Sequence, residues 1–556
     1  MVVAGQEGNH RLNNCGGETS LSAEGEGTQL MTRFITLGPF AEVPSGTLLK
    51  GHPLTMGPAL NGEHQKTNWT IGLINASLGK YLTAESFGFK VNANGVALKK
   101  KQLWTLEAYG EDEAICLRSN LGRYLAVDQF GNVTCDSEDK DIGAKFTISM
   151  TGDAKGQWAL KNENRGYFLG ASGDQLICNT KAPSSAELWT VHLAARPQVT
   201  IKSVGRRRFA RLSEAQDEIQ VDATTPWGEN TLFTLEFRDG KYAVHTGNNK
   251  YLSPDGKLLA KCEACCLFAV EFHGGFLALK DANMGYLSPT GSRAVIRSRS
   301  NTVTRDELFS LEDSVPQASF VAALNGKFVS VKQGVDLTAN QDEISDHETF
   351  QLEFDKATQR WLIRTMQDKY WTLEPTGGIQ ASGERASSNA LFRLDWQTDG
   401  SVSFIANNGK LLAIKKSGHL YANADSAQDE NVKFYFFLIS RPMLVLKCDQ
   451  GFVGFKSNSS AKLECNKGSY ETILVERGEK GVVYFKGTSD AYWSVADDGS
   501  ITVDSESRSE GFTFELREPS RLAIKLASTG CYVIAEKNGL FKVGGPDPAK
   551  ATLWEY

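Results

Sequence analysis

Bulky aromatic residues recur along this chain at intervals of about 40 residues. Most follow a Gly-Lys, Gly-Arg or similar pair and stand in short stretches where apolar and polar residues alternate. The markers are Tyr81, Tyr124, Phe168, Phe209, Tyr251, Tyr286, Phe328, Tyr370, Leu411 in place of one aromatic, Phe452, Tyr492 and Tyr532. A fixed period of this size is typical of repeat architectures. It predicts twelve copies of one unit from about residue 70 to the end.

A second marker keeps the same period and closes each unit. It reads "LWTLE" around Trp104, "LFSLE" around Phe309 and "LWEY" around Trp554. Between the markers apolar residues alternate with period two and are separated by Gly or Asn turns, as at Phe87-Gly88. No run of ten or more residues has a helical stripe. The pattern therefore predicts an all-β chain with about four strands per repeat.

The grouping of the repeats decides between two all-β architectures. A propeller blade is also about 40 residues long, but propellers usually have about four to eight blades, fewer than twelve. Similar stretches near Pro197, Pro316 and Pro442 instead recur about 120 residues apart. Three repeats that close into a barrel leave no exposed sheet edge. We therefore predict four tandem β-trefoils, over residues 67–195, 196–316, 317–440 and 441–556.

Residues 1–66 differ from the rest because they are rich in Gly, Glu, Asn, Thr and Pro without periodicity. We expect a disordered N-terminal tail there. The start has no apolar segment after basic residues, and no stretch reaches 18 apolar residues, so we expect neither a secretory signal nor a membrane span. A cytoplasmic protein is expected. Cysteines such as Cys135, Cys178 and Cys465 then serve as small core residues.

The residue types used in catalysis and metal binding form no convincing motif. Cys262, Cys265 and Cys266 lie close together, but no second pair of cysteines or histidines has the spacing of a zinc site. The eight histidines are scattered singly, and no phosphate-binding or dinucleotide-binding loop is present. Acidic pairs at 217–218 and 342–343 occupy matching points of two repeats, which favours hairpin turns. We predict no catalytic residue, no metal, no cofactor and no enzymatic activity.

Basic residues cluster within a chain whose net charge is −6. The clusters are Lys99–Lys101 with Lys80 in the first repeat, Arg206–Arg208 in the first turn of the second trefoil, Arg293, Arg297, Arg299 and Arg305 on one later loop, and Lys415-Lys416 on a hairpin of the third trefoil. Separate basic patches can bind acidic surfaces at more than one place. The negative net charge argues against a nucleic-acid binder.

Several stretches resemble fascin, the family of actin-bundling proteins, and most closely an invertebrate member. They are "IGLINASLGKYLTAESFGFKVNANGVALKKKQLWTLE" at 71–107, "AARPQV" at 194–199, "PWGENTLFTLEF" at 226–237, "LTANQDE" at 337–343 and the terminal "LWEY". The resemblance runs from about residue 67 to Tyr556. It implies four β-trefoils in two lobes, and a monomer that crosslinks filamentous actin into tight parallel bundles. It also implies a place in the cytoplasmic actin cytoskeleton, in protrusions such as filopodia.

The resemblance also implies which residues bind actin. One site would lie where the first and fourth trefoils meet, and a second on the third trefoil. The first would use Lys80, Lys99, Lys100, Lys101, Arg165, Lys456 and Arg521, and the second Lys327, Lys410, Lys415 and Lys416. Two departures from the family pattern stand out: Ala97 occupies the position of a regulatory serine, and Gln450 and Ile534 are neutral where relatives carry positive charge.

The alternative from another class is a carbohydrate-binding trefoil lectin. Such trefoils typically repeat a Gln-x-Trp motif with nearby Asp ligands, and the twelve units do not repeat such a motif. An enzyme on this scaffold is a more remote possibility.

Overall fold

The computed structural model of the chain describes residues 69–109, 114–194, 196–273, 275–456 and 461–556. The predicted N-terminal tail lies outside these residues. Within them the regular elements are strands and short 3₁₀ turns, and no α-helix is present, which confirms the all-β prediction. None of the described helical turns has the length and apolar character to cross a membrane.

The strands form four large sheets in chain order, with one extra hairpin. The first sheet contains Trp69–Asn75, Tyr81–Ala84, Val91–Gly95, Trp104–Ala108, Ile115–Ser119, Tyr124–Val127, Val133–Ser137, Phe146–Met150, Trp158–Asn162, Tyr167–Ser172, Gln175–Thr180 and Leu188–Leu193. The second contains Gln198–Ser203, Phe209–Leu212, Ile219–Ala223, Phe233–Arg238, Lys241–Thr246, Tyr251–Leu252, Leu258–Leu259, Ala269–His273, Phe276–Lys280, Tyr286–Thr290, Val295–Ser300 and Phe309–Asp313.

The other two sheets follow the same plan. The third contains Gln317–Ala322, Phe328–Ser330, Thr338–Gln341, Phe350–Asp355, Arg360–Arg364, Tyr370–Leu373, Ile379–Gly383, Leu391–Trp396, Val402–Ile405, Leu411–Ile414, Leu420–Ala424 and Phe434–Leu438. The fourth contains Met443–Leu444, Lys447–Cys448, Gly451–Phe455, Leu463–Lys467, Ile473–Arg477, Val483–Gly487, Tyr492–Val495, Ile501–Ser505, Phe512–Glu518, Arg521–Leu526 and Trp554–Glu555, beside the hairpin of Val533–Ala535 and Phe541–Val543.

Short 3₁₀ turns lead into the closing strands of most repeats. They are Lys100–Gln102, Ile142–Ala144, Ser185–Glu187, Glu229–Thr231, Ala264–Cys266, Arg305–Glu307, Ser388–Ala390, Glu430–Val432 and Pro548–Lys550. Several begin at a side-chain cap, as where Glu307 accepts hydrogen bonds from the backbone N–H and the hydroxyl of Thr304. The caps satisfy backbone groups that have no partner inside so short a turn.

The first and last strands of each trefoil lie side by side and close its barrel. Five antiparallel residue pairs join Trp69–Asn75 to Leu188–Leu193 in the first trefoil. The second and third trefoils have the same five-pair ladder between their own terminal strands. In the fourth, one pair, Lys447 with Glu555, joins the corresponding strands. Closed sheets of three repeats are the β-trefoil arrangement that the sequence predicts, and the fold-class prediction is confirmed.

The closing aromatics of the units fill the cores. Trp104, Trp189 and Trp554 are completely buried, and the indole N–H of Trp554 donates to the carbonyl of Val533 at 3.3 Å. One hydrophobic cluster covers the first and second sheets, and another covers the third and fourth. The trefoils are therefore packed in two pairs, as the two-lobe expectation requires.

A polar cluster links consecutive repeats in six places, and its glutamate is buried in three of them, at Glu236, Glu271 and Glu515. The glutamate of a closing strand accepts a hydrogen bond from the tyrosine that opens the next repeat, at oxygen separations of 2.8–3.5 Å. The pairs are Glu107 with Tyr124, Glu236 with Tyr251, Glu271 with Tyr286, Glu353 with Tyr370, Glu476 with Tyr492 and Glu515 with Tyr532. A basic residue on the adjoining strand pairs with the same carboxylate, as Lys280 does with Glu271 and Lys525 with Glu515, both at 3.2 Å. These partners satisfy carboxylates that would be costly to bury alone.

Ring stacking and hydrogen bonds also join the trefoils to one another. Between the first and second, the ring of His192 stacks on Phe237 with centroids 3.9 Å apart, and burial lowers the pKa of His192 to about 4. Between the second and fourth, the hydroxyl of Tyr470 donates to the carbonyl of Leu235 at 3.1 Å, and Thr472 donates to Glu236. His192 is thus a structural histidine.

The cysteines have the structural role that the sequence predicts. Cys135, Cys178 and Cys465 are buried and unpaired. Burial raises the pKa of the Cys135 and Cys178 thiols to about 11, so they stay protonated at neutral pH. In the Cys262–Cys266 segment Cys265 is exposed and Cys266 is buried. Across the described residues, no group of His, Cys, Asp and Glu is arranged to hold a metal ion.

Candidate interaction surfaces

The first-trefoil cluster, Lys80 with Lys99–Lys101, is built around one 3₁₀ turn. Gln102 lies at the end of this turn and is buried, where it donates to the hydroxyl of Thr83 at 3.0 Å and accepts from the backbone N–H of Lys99 at 3.2 Å. The buried glutamine holds the loop, so the three lysines that precede it point outward and are exposed. The hydrogen bonds of Gln102, and not the lysine side chains, therefore fix the conformation of this loop.

Three of the four members of this cluster have no acidic partner among the described residues. Lys101 Nζ lies 2.7 Å from Glu85 Oε2, and that hydrogen bond lowers the pKa of Glu85, which keeps the pair ionised. Lys99 and Lys100 make no ion pair with any described residue, and the same holds for the half-buried Lys80. The positive charge of the loop is thus carried mainly by Lys99 and Lys100.

Arg165 occupies a more enclosed position than the lysines. Its guanidinium donates to the carbonyl of Gln129 and lies over the ring of Tyr167, 5.3 Å from the centroid. Its Nε is buried and finds no partner among the described residues. Arg165 therefore braces two hairpins of the first trefoil while part of its charge faces outward.

The loop that carries Lys99–Lys101 also touches the fourth trefoil. Leu98 anchors it, because a Cβ on Gly72 would lie only 2.4 Å from the Leu98 side chain. Ala97 faces Gly468, and a Cβ on Gly468 would lie 2.8 Å from the Ala97 Cβ. The first and fourth trefoils thus meet at Ala97 and Gly468, two of the smallest residues. Sequence reasoning missed Gly468 because no local pattern marks a contact between residues 371 positions apart.

The fourth-trefoil residues differ in how freely their charge is presented. Lys456 is exposed at the end of strand Gly451–Phe455 and lies 3.8 Å from Glu464. Its partner strand, Leu463–Lys467, leads directly to Gly468. Arg521 lies between two carboxylates, 3.9 Å from Glu518 and 3.5 Å from Glu555. Arg521 is therefore largely neutralised within the fold.

The third-trefoil cluster, which consists of Lys327, Lys410, Lys415 and Lys416, divides into paired and unpaired lysines. Lys327 pairs with Asp342 and Lys410 with Asp425, and Lys369 pairs with Glu384 at the matching point of the middle repeat. All three pairs join residues 15 positions apart, so they are a repeat feature of this trefoil. Exposed pairs of this kind contribute about 0–1 kcal/mol to stability and leave little net charge.

Lys415 and Lys416 stand at the tip of a hairpin, as the sequence predicts. The turn closes through a hydrogen bond from the N–H of Gly418 to the carbonyl of Lys415 at 2.8 Å. Gly418 has φ +85°, a conformation that favours glycine. Lys415 lies over the ring of Tyr421, 5.1 Å from its centroid, and neither lysine has an ion pair within the described chain. These two lysines are the unpaired members of the third-trefoil cluster.

One expectation about arginine placement is wrong. Arg293, Arg297, Arg299 and Arg305 do not share a single loop: Arg293 lies in a turn, Arg297 and Arg299 on strand Val295–Ser300, and Arg305 in a 3₁₀ turn. Val295 and Ile296 are buried and anchor this strand in the core. Arg297 and Arg299 then alternate outward from the sheet, so the strand extends further than expected.

Comparison with known proteins places this architecture in a family. A family model described as "Fascin domain" matches residues 78–191, 199–311, 324–435 and 450–556. A protein named Fascin-2 from Bos taurus is 41% identical over 499 residues, covering 89% of this chain and 99% of its own. Fascin-2 from Homo sapiens is 40% identical with the same coverage. A protein named Fascin from Strongylocentrotus purpuratus is 36% identical over 517 residues, covering 90% of this chain and 100% of its own.

Proposed function

This chain belongs to the fascin family of actin-bundling proteins, and we propose that one monomer crosslinks two actin filaments through separate basic surfaces. Bundling requires at least two sites on one body, at a spacing that both filaments can reach together. The proposed sites are the first-trefoil cluster at the junction with the fourth trefoil, and the third-trefoil cluster. No catalytic step is part of this role.

The observation that carries the proposal is the distribution of unpaired lysines. Lys99 and Lys100 belong to a trefoil of one core cluster, while Lys415 and Lys416 belong to a trefoil of the other. The charges are exposed, and each pair is held on a short turn. Positive patches of this kind complement the acidic surface of a filament and guide association.

The remaining proposed contact residues should contribute less. Lys101, Lys327, Lys410, Lys456 and Arg521 each have a carboxylate neighbour in the fold. To bind actin they must exchange or share that partner, which offsets part of the gain. Arg165 braces the first-trefoil hairpins, so its replacement should affect the local structure as well as binding.

The proposed regulation differs from that implied for the family. Ala97 has no hydroxyl, so a serine kinase has no acceptor at this position. Its contact with Gly468 places the same loop against the fourth trefoil. We expect the protein to work in the cytoplasmic actin cytoskeleton, in protrusions such as filopodia, without control through this position.

The test reverses the unpaired charges on each trefoil in turn. Lys99→Glu with Lys100→Glu, or Lys415→Glu with Lys416→Glu, should abolish bundling and leave filament attachment through the other site. Each reversal should cost about 1 kcal/mol, and less at higher salt. Low-speed sedimentation reports bundles, and high-speed sedimentation reports attachment.

Two further exposed and unpaired lysines supply the matched control. Lys261→Glu with Lys356→Glu makes the same change in net charge outside both clusters and should leave bundling unchanged. Equal loss in all three variants would mean that net charge alone matters. Normal bundling by either cluster variant would reject the site assignment.

The lectin alternative is not favoured. The relatives that match nearly the whole chain are fascins, and the Gln-x-Trp motif of sugar-binding trefoils is not repeated through the units but occurs only at Gln102–Trp104 and Gln359–Trp361.

A further inference from the structure

A polar cavity of about 770 Å³ lies on the third repeat of the second trefoil, outside both proposed actin sites. The turn that begins at Asp281, strands Tyr286–Thr290 and Val295–Ser300, and the 3₁₀ turn Arg305–Glu307 surround it. Hydroxyl, carboxylate, amide and guanidinium groups supply most of its lining. A cavity of this size holds a small polar ligand.

Two hydroxyls in the cavity have no hydrogen-bond partner in the described structure. Ser288 is 3% exposed and lines the cavity, and the Ser298 Oγ beside it is also buried. Ser253 occupies the matching point of the preceding repeat, and its hydroxyl bonds to Asp255 and to the carbonyl of Lys257. Buried hydroxyls are normally satisfied, so the partnerless Ser298 Oγ, with the free Ser288 hydroxyl beside it, points to a ligand in the cavity.

Two buried carboxylates each keep one oxygen available. Asp281 Oδ1 accepts from the backbone N–H groups of Asn283 and Gly285, both at 2.8 Å, and no described donor reaches Oδ2. Glu307 Oε2 accepts from Thr304, and no described donor reaches Oε1. Both residues are at most 5% exposed. Acceptors of this kind suit hydroxyl groups, because a hydroxyl donates to the carboxylate and accepts from a serine.

Three arginines lie at this cavity or on the turns beside it, next to the lining carboxylate of Asp306. Arg299 lines the cavity, and Arg206 donates to the carbonyls of Pro289 and Gly291 at its edge. A Cβ on Gly205 would lie 2.3 Å from Asp306 Oδ1, so the turn of Arg206 is pressed against the turn that carries Arg305. None of the three arginines makes an ion pair with a described residue. Guanidinium groups match the geometry of phosphate oxygens.

We propose that this cavity binds a phosphorylated cyclic polyol of the inositol phosphate class. The ring hydroxyls bond to Ser288, Ser298, Asp281 and Glu307, and the phosphates bond to Arg299 and the arginines beside it. The ligand can be a soluble inositol phosphate or the headgroup of a phosphoinositide lipid. This activity is independent of actin binding.

The test is calorimetric titration of the full chain with inositol 1,4,5-trisphosphate, which keeps three free ring hydroxyls, with myo-inositol and inorganic phosphate as comparison ligands. Ser288→Ala should weaken inositol 1,4,5-trisphosphate binding about tenfold, and should leave thermal stability unchanged or raised because the hydroxyl has no partner to lose. Arg299→Glu should weaken binding at least as much. Ser253→Ala should lower stability and keep affinity, and Arg385→Glu, at an exposed unpaired arginine of the third trefoil, should keep both.

The outcomes separate the ligand sources and can overturn the proposal. Vesicles of phosphatidylcholine with and without phosphatidylinositol 4,5-bisphosphate test the lipid form, and the soluble ligand tests the free form. Binding in either arm that Ser288→Ala weakens supports the proposal. No binding in either arm overturns it. An unchanged affinity in Ser288→Ala also overturns the proposal. The same holds if Arg385→Glu reduces the affinity as much as Arg299→Glu does, because both results indicate attraction to charge alone.

Discussion

Gly468→Ala is expected to strain the junction between the first and fourth trefoils. The backbone at Gly468 does not have a positive φ, so alanine can adopt its conformation. The added methyl would nevertheless lie 2.8 Å from the Ala97 Cβ. The strain arises between trefoils and not within the turn.

The size of the effect follows from that distance. Carbon atoms pack best at about 3.5–4.0 Å, so the segments around Ala97 and Gly468 must separate by about 1 Å. Overpacking of this kind costs about 1–3 kcal/mol. Because the loop that must move carries Lys99 and Lys100, bundling should weaken along with stability.

Urea unfolding and low-speed sedimentation with actin measure both effects. Ala97→Gly should rescue Gly468→Ala, because it removes the opposing methyl, and a double-mutant cycle gives the coupling. Gly545→Ala is the matched control, since a Cβ there meets nothing within 4 Å and its φ is not positive. Equal stability of Gly468→Ala and the control, or failure of Ala97→Gly to rescue, would refute the close contact.

Three further changes test separate parts of the structure. Trp554→Ala should cost about 3–5 kcal/mol in urea unfolding because it empties a fully buried position, and wild-type stability would contradict the twelve-unit register. Burial raises the pKa of Glu271, but the hydrogen bond from His273 and the charge of Lys280 hold it below its ordinary value. Its contribution to stability is thus present above the unfolded pKa and lost as the pH falls through the lowered pKa of the folded state, and Glu271→Gln should remove that part of the acid dependence. Ala97→Glu should bundle actin less well than the similarly sized Ala97→Gln, with a difference that salt reduces, and equal bundling would mean that this loop is not at the filament interface.

The repeat pattern predicted the fold well because its signals are local. The closing aromatics at Trp104 and Trp554 are buried, as their period indicates. The glutamate in "LFTLE" was visible in the sequence, but its bond to the tyrosine of the following repeat was not. That contact depends on barrel closure, which brings Glu236 and Tyr251 together from different strands.

The candidate sites were less predictable because charge in a sequence does not show its partners. Lys327 and Lys415 look equivalent as residues, yet Asp342 neutralises the first and no described carboxylate pairs with the second. The partnerless hydroxyl of Ser288 was hidden for the same reason, since Ser253 has the same local sequence context and is satisfied. Only the packed structure distinguishes the members of each pair.

The unequal closure of the four barrels has a mechanical consequence for a crosslinker. Filaments that slide past each other would pull on the body between its sites, and a trefoil resists such tension where its terminal strands are held together in shear. Five residue pairs share that load in each of the first three trefoils, but one pair does so in the fourth. Under an optical trap the fourth trefoil should open first, so the bundle's weakest point under tension would lie beside the junction at Gly468.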